Sequence, residues 1–148
     1  MLHSEVQAAV IRTMPSLSPD HLPNWALGLC GETAEVVSDI AAKRPLTNEV
    51  GDQLWYCHAL LVCLKVDADD LLLGVVPCKP DLFAPCRIAE LVKKHVYHFK
   101  PLQKAALLQE IRLVVGSAMT LLGDVPLTEC YRQNVVKLLE RYPDGFPS

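Results

Sequence analysis

Residues 25–56 read WALGLCGETAEVVSDIAAKRPLTNEVGDQLWY, and this stretch decides the fold. It carries two acidic pairs, Glu32-x-x-Glu35 and Glu49-x-x-Asp52, with thirteen residues between them. An α-helix turns once in about 3.6 residues, so side chains three apart share a face. Each pair therefore presents two carboxylates from one side of a helix. Between the pairs, Lys43-Arg44-Pro45 breaks the helix. Proline cannot continue an α-helix and disfavours helical backbone in the residue before it. Two helices folded back at this break bring all four carboxylates to face one another.

Carboxylates at close quarters repel, and burying one without a partner is costly. Hard divalent cations such as Mg²⁺ and Mn²⁺ prefer oxygen ligands and offset that repulsion. A single E-x-x-E on a helix is ordinarily a solvated face, here with Lys43 and Arg44 as local partners. The apolar frame argues against that ordinary reading. Ala26, Leu27, Leu29 and Cys30 precede the first pair, and Leu54, Trp55 and Tyr56 follow the second.

The segments LGLCGETAEV and NEVGDQLWY resemble the signature of the MazG-like, all-α nucleoside triphosphate pyrophosphohydrolases. That signature is E-x-x-E, a spacer and E-x-x-D, with glycines placed as Gly31 and Gly51 stand here. A weaker likeness covers NVVKLLERYPDGF near the C-terminus. The resemblance implies a MazG-like helical bundle in which Glu32, Glu35, Glu49 and Asp52 bind Mg²⁺, with Mn²⁺ able to substitute. It implies Glu35 as the acid that also touches the attacking water, although the residues alone do not assign the base. Lys43 matches a lysine that reaches phosphate in the family, against the ordinary option of a solvated lysine at a helix end. Asn134 would hydrogen-bond sugar or base and Lys137 would contact phosphate; the plain alternative is a polar helix face. The family also implies a homo-oligomer, a dimer or a tetramer.

Other residues are weighed on spacing. Trp25 lies two turns before Glu32, a distance that suits a stacked base, yet an aromatic at helical spacing is more often core. Asp39 shares the face of Glu32 and Glu35, and its simplest role is an ion pair with Lys43, four residues on. Trp55 and His58 read chiefly as packed residues, and Arg141 and Tyr142 are weaker candidates.

The second half has the texture of the acidic helix pair. LLQEIRLVV lies over NEVGDQLWY with Glu110 at the place of Glu49 and Leu113 at the place of Asp52. Positions matching Glu32 and Glu35 then fall near Ala84 and Arg87. The chain reads either as a fused pseudo-dimer of two helical hairpins with the second degenerate, or as one acidic hairpin on a plain scaffold.

Periodicity predicts helices over residues 4–14, from His21 or Pro23 to Lys43, and from Leu46 to Val66. Ser18 or Asp20 is expected to cap the second, and Thr47 or Asn48 the third. Asp67-Ala68-Asp69-Asp70 then starts a short helix, Leu71–Val75, with acids at its N-terminus, followed by helices over Ile88–His98, Leu102–Leu122 and Leu127–Tyr142. Strand signals are nearly absent, so the expected class is all-α. A chain of 148 residues is one domain's worth, with an acidic helix pair over 20–66, a divergent pair over 84–122 and a C-terminal helix over 127–142.

With 51% hydrophobic and 21% charged residues the composition is that of a globular protein. A net charge of −3 argues against a general nucleic-acid binder. No run of eighteen apolar residues and no signal pattern is present, so the expectation is a cytoplasmic protein without a membrane partner. The six cysteines form no C-x-x-C pair and read as free structural thiols in a reducing compartment. The expected activity is Mg²⁺-dependent hydrolysis of a (d)NTP, such as dGTP or GTP, dUTP or dCTP, to the monophosphate and diphosphate, shaping or cleansing the nucleotide pool. A catalytically weak helical module that binds a nucleotide or protein is the reading from another class. A phosphoribosyl-ATP pyrophosphohydrolase is the further enzyme reading.

Overall fold

The computed structural model describes residues 3–145. Among them the chain is all-α, with seven α-helices, one 3₁₀ turn and no strand. Helix α1 (His3–Thr13) ends before Pro15, and a 3₁₀ turn over Pro19–His21 leads into the long helix α2 (Leu22–Ala41). Ser18 Oγ accepts the Asp20 N–H at 3.3 Å and so caps the 3₁₀ turn. The N-cap of α2 itself is His21, which makes no side-chain cap.

α2 closes with Lys43 in the left-handed region at φ 56°, where Arg44 N–H reaches back to Asp39 C=O at 2.9 Å. Such a reversal satisfies the last carbonyls of the helix and turns the chain. After Pro45, helix α3 (Thr47–Cys63) runs back along α2. Neither Thr47 nor Asn48 caps it; the cap position is Leu46, and the Asn48 amide is drawn instead to Glu49 Oε1 at 3.0 Å. The short helix α4 (Ala68–Leu72) starts earlier than the apolar pattern suggests, because Asp67 Oδ1 accepts the Asp70 N–H at 3.1 Å.

Helix α5 (Ala84–Val96) also begins a turn early, where Asp81 Oδ1 accepts the N–H groups of Phe83 and Ala84 and Pro85 sits in the first turn. Helix α6 (Lys104–Leu122) and helix α7 (Leu127–Arg141) complete the chain. α6 is long and apolar enough to cross a membrane by length and composition; in this bundle it supplies core, with Leu107, Ile111, Val114, Val115 and Ala118 buried.

The α2/α3 hairpin packs on the α5/α6 hairpin, α2 against α5 and α3 against α6, while α1 and α7 lie on α3. One hydrophobic core joins them, and α3 is its axis: Val50, Leu54, Cys57, Leu60 and Leu61 are fully buried. A buried leucine of this kind contributes roughly 1.5–3 kcal/mol relative to an exposed one. The position of α3 between α1, α2, α6 and α7 is what lets one of its faces serve the core and another serve the acids.

Candidate metal centre and adjoining cleft

The register between α2 and α3 is fixed by a buried polar pair. Thr33 Oγ1 donates to the Leu29 carbonyl at 2.7 Å and accepts from Gln53 Nε2 at 2.8 Å. Thr33 follows Glu32 and Gln53 follows Asp52, so this one contact sets the acids against each other. As a result one carboxylate oxygen from each of Glu32, Glu49 and Asp52 lies within 4.8 Å of the others. All three groups are half-buried. Three hard oxygen donors from two rigid helices form a possible metal-binding triad, and the donor set suits Mg²⁺ or Mn²⁺.

The electrostatics are those of a site short of positive charge. Glu32 is pushed up to about 7 by burial first, then by the charge of Asp52 and by a hydrogen bond to Glu49; Lys137 pulls the other way. The Tyr56 hydroxyl is likewise raised, by burial and then by the charges of Glu32 and Asp52.

α7 supplies the cations' side of the site. Asn134 and Lys137, one turn apart, both reach Asp52 Oδ1: Asn134 Nδ2 donates at 2.9 Å and Lys137 Nζ forms an ion pair with the same oxygen. Lys137 Nζ also donates to Asn48 Oδ1 at 3.0 Å. Asn134 approaches closely because residue 51 is glycine; a Cβ there would stand 3.3 Å from the Asn134 side chain. Gly31, the other glycine of the acidic motif, faces open space.

Beside the acids opens a cleft of about 290 Å³, with Glu32 and Asp52 in its wall. The remaining wall includes Asn24, Trp55, Tyr56, Arg141 and Tyr142. The Tyr56 ring lies on the backbone of Gly28, where a Cβ would come within 2.2 Å of it. Trp55 Nε1 donates to Thr13 Oγ1 at 3.0 Å, and its ring meets Tyr56 edge-on at 5.1 Å between centroids.

The expected residues fall in three groups. Glu32, Glu49, Asp52, Asn134 and Lys137 are brought together. Glu35 is exposed, and its oxygens are not among those that converge. Lys43 is exposed at the hairpin turn and does not line the cleft. Trp25 borders the cleft but is only 3% exposed; its Nε1 donates to Cys63 Sγ at 3.2 Å and its ring packs against Trp55. It therefore backs the wall, while Trp55 and Tyr56 offer more surface. Asp39 pairs with Arg44, Nε to Oδ1 at 2.8 Å, and not with Lys43. The left-handed turn at Lys43 is what swings Arg44 back over the helix end. Phe146, in the second resembling segment, lies outside the described residues.

Asn24 and Thr13 carry no motif. Asn24 had a signal all the same: Asn24, Gly28 and Glu32 stand at i, i+4 and i+8, a single line along α2. Thr13 had none, because its place beside Trp55 depends on how α1 lies across α3. Comparison of the chain with protein-family models, curated proteins and solved structures finds no match.

Proposed function

We propose that the protein is a Mg²⁺-dependent nucleoside triphosphate pyrophosphohydrolase of MazG-like architecture. The observation that carries this reading is the convergence of Glu32, Glu49 and Asp52 beside an aromatic-walled cleft that Glu32 and Asp52 line. Glu32, Glu49 and Asp52 would hold Mg²⁺, and Glu35, exposed one turn beyond Glu32, has the rotamer freedom to join them. An ion held there would supply neutralisation of phosphate charge and Lewis acidity. Lys137 adds positive charge on the phosphate side of the cleft, and Asn134 orients Asp52. Glu35 accepts the proton of the water that attacks the α phosphorus, and diphosphate leaves. Trp55 and Tyr56 offer ring surface to a base, with Trp25 packed behind them.

The two halves also support the fused pseudo-dimer reading. In the register that sets Glu110 on Glu49, the buried positions Val50, Leu54, Cys57 and Leu61 coincide with the buried Ile111, Val115, Ala118 and Leu122. Arg87, at the place of Glu35, donates Nε to Glu110 Oε2 at 2.9 Å and Nη2 to Asp81 Oδ2 at 2.5 Å. A guanidinium thus stands where the first hairpin would bind its ion.

The Lys137–Asp52 pair favours a second reading, a nucleotide-binding module without turnover in which the lysine is the permanent counter-charge. One assay separates the two. The full chain is incubated with each (d)NTP and Mg²⁺ or Mn²⁺, and monophosphate and diphosphate are measured. The enzyme reading expects both products, with Asp52→Asn and Glu35→Gln each lowering turnover by about 100-fold or more. Nucleotide binding without products supports the module, and turnover unchanged in both variants removes the site.

A further inference from the structure

Away from the acids, a groove of about 430 Å³ runs between α2 and α5. Its lining is largely apolar, and it contains two thiols, Cys30 from α2 and Cys86 from the first turn of α5. Both thiols line the same groove. Cys30 also donates weakly to the Pro85 carbonyl at 3.5 Å, which holds its sulfur at the start of α5 beside residue 86. Cys86 is exposed and Cys30 half-buried, and both are free. The remaining cysteines are arranged differently. Cys57, Cys63 and Cys130 are buried, and Cys78 faces the Leu113 carbonyl and the Ser117 hydroxyl on α6. Cys57, Cys63 and Cys130 are the buried thiols that the sequence suggests, whereas Cys30 and Cys86 line the groove.

We infer that Cys30 and Cys86 are a reversible dithiol–disulfide pair that ties the first helical hairpin to the second when a small disulfide oxidant is present. The groove gives such a reagent access to Cys86. The Cys86 sulfur attacks one sulfur of the reagent, its S–S bond breaks, and one reagent thiol leaves with the Cys86 proton. The Cys30 sulfur then attacks the Cys86 sulfur of the mixed disulfide, and the second reagent thiol leaves with the Cys30 proton. Two protein thiols are oxidised and one reagent disulfide is reduced to two thiols. The new bond joins helices that already pack on each other and closes a loop from residue 30 to residue 86, which restricts the unfolded chain.

The test uses the full chain treated with oxidised glutathione, with remaining thiols alkylated before non-reducing tryptic mass spectrometry. Cys78 and Cys86 share one tryptic peptide, since Lys79 precedes Pro80. A Cys78→Ser background therefore makes the assignment unambiguous. The expected product is a monomer in which the Cys30 and Cys86 peptides are linked with loss of two hydrogens, reversed by dithiothreitol. Cys30→Ser should trap a stable glutathione adduct on Cys86. The linked monomer should melt at a higher temperature than the reduced one, a difference that Cys86→Ser abolishes. A lasting glutathione adduct on Cys86 with Cys30 present overturns the pair. So does a disulfide-linked dimer, or the absence of reaction.

Discussion

Asp52 Oδ1 accepts from Asn134 and pairs with Lys137, while burial and the facing acids make the Glu32 carboxyl hold its proton up to about 7. An ion entering this cluster competes with that proton, because Glu32 is held at about 7. Mg²⁺ affinity should therefore rise as pH increases through about 7, and binding below that pH should release a proton. Calorimetry in buffers of different ionisation enthalpy reads both; an affinity flat from pH 6 to 8 would contradict the raised Glu32 carboxyl. Stability without metal runs in the opposite sense. Glu32 is raised above its unfolded value, so its contribution is complete below about 4.5 and is lost as pH rises through about 7. Glu32→Gln removes one of three facing carboxylates. Without metal at pH 8 it should stabilise the protein by about 0.5–1 kcal/mol, allowing for solvent screening, while abolishing stabilisation by Mg²⁺. Thermal melts with and without Mg²⁺ check both halves of that expectation.

At the scale of elements, α2 and α3 owe their mutual register to Thr33 and Gln53. Thr33→Val keeps the shape but removes the oxygen that accepts from Gln53 Nε2 in the core. An orphaned buried donor costs about 1–3 kcal/mol. Urea denaturation should show a loss of that size. Paired with Gln53→Leu the deficit should shrink, since neither partner is then left unsatisfied. The helices were legible from their periodicity, and so was the facing of Glu32, Glu49 and Asp52, whereas Glu35, three residues from Glu32, stays outside their cluster because its side chain points to solvent. Helix starts were less legible. The carboxylate of Asp81 begins α5 ahead of its apolar pattern, and Asn48 leaves its capping position for the acids, while the acids from Asp67 onward do start α4. The partner of Asp39 depended on the handedness of one turn residue, Lys43, which spacing does not encode. Trp25 was ambiguous because its interval from Glu32 suits both a stacking platform and a core residue. The approach of Asn134 and Lys137 to Asp52 is a long-range contact that no local pattern in α7 carries.

For the whole molecule, acid sensitivity has an identifiable source in the core. His58 is fully buried, its Nε2 hydrogen-bonded to the Tyr131 hydroxyl at 3.0 Å and its Nδ1 without a partner. Burial first, then the neighbouring His3, push it down to about 3. Between about 3 and 6.5 the unfolded chain holds a proton on this residue that the folded chain does not. Stability should therefore fall as pH drops through that window, by about 1.4 kcal/mol per pH unit for this one group. Glu32 works against it above about 4.5, so the steepest loss should come below that pH. In denaturation series from pH 7 to 3.5, His58→Leu should flatten the slope; an unchanged slope would assign the acid sensitivity elsewhere.

The hairpin turn at residues 42–46 also has a kinetic consequence. All three converging acids lie within twenty-one residues of sequence, on helices joined by a short connection, whereas Lys137 arrives from the far end of the chain. Contacts that close short loops form soonest, and synthesis delivers the N-terminal side first. The nascent acidic hairpin thus spends its earliest moments with only the cations of its own turn, Lys43 and Arg44, and Asp52 gains its lysine partner last.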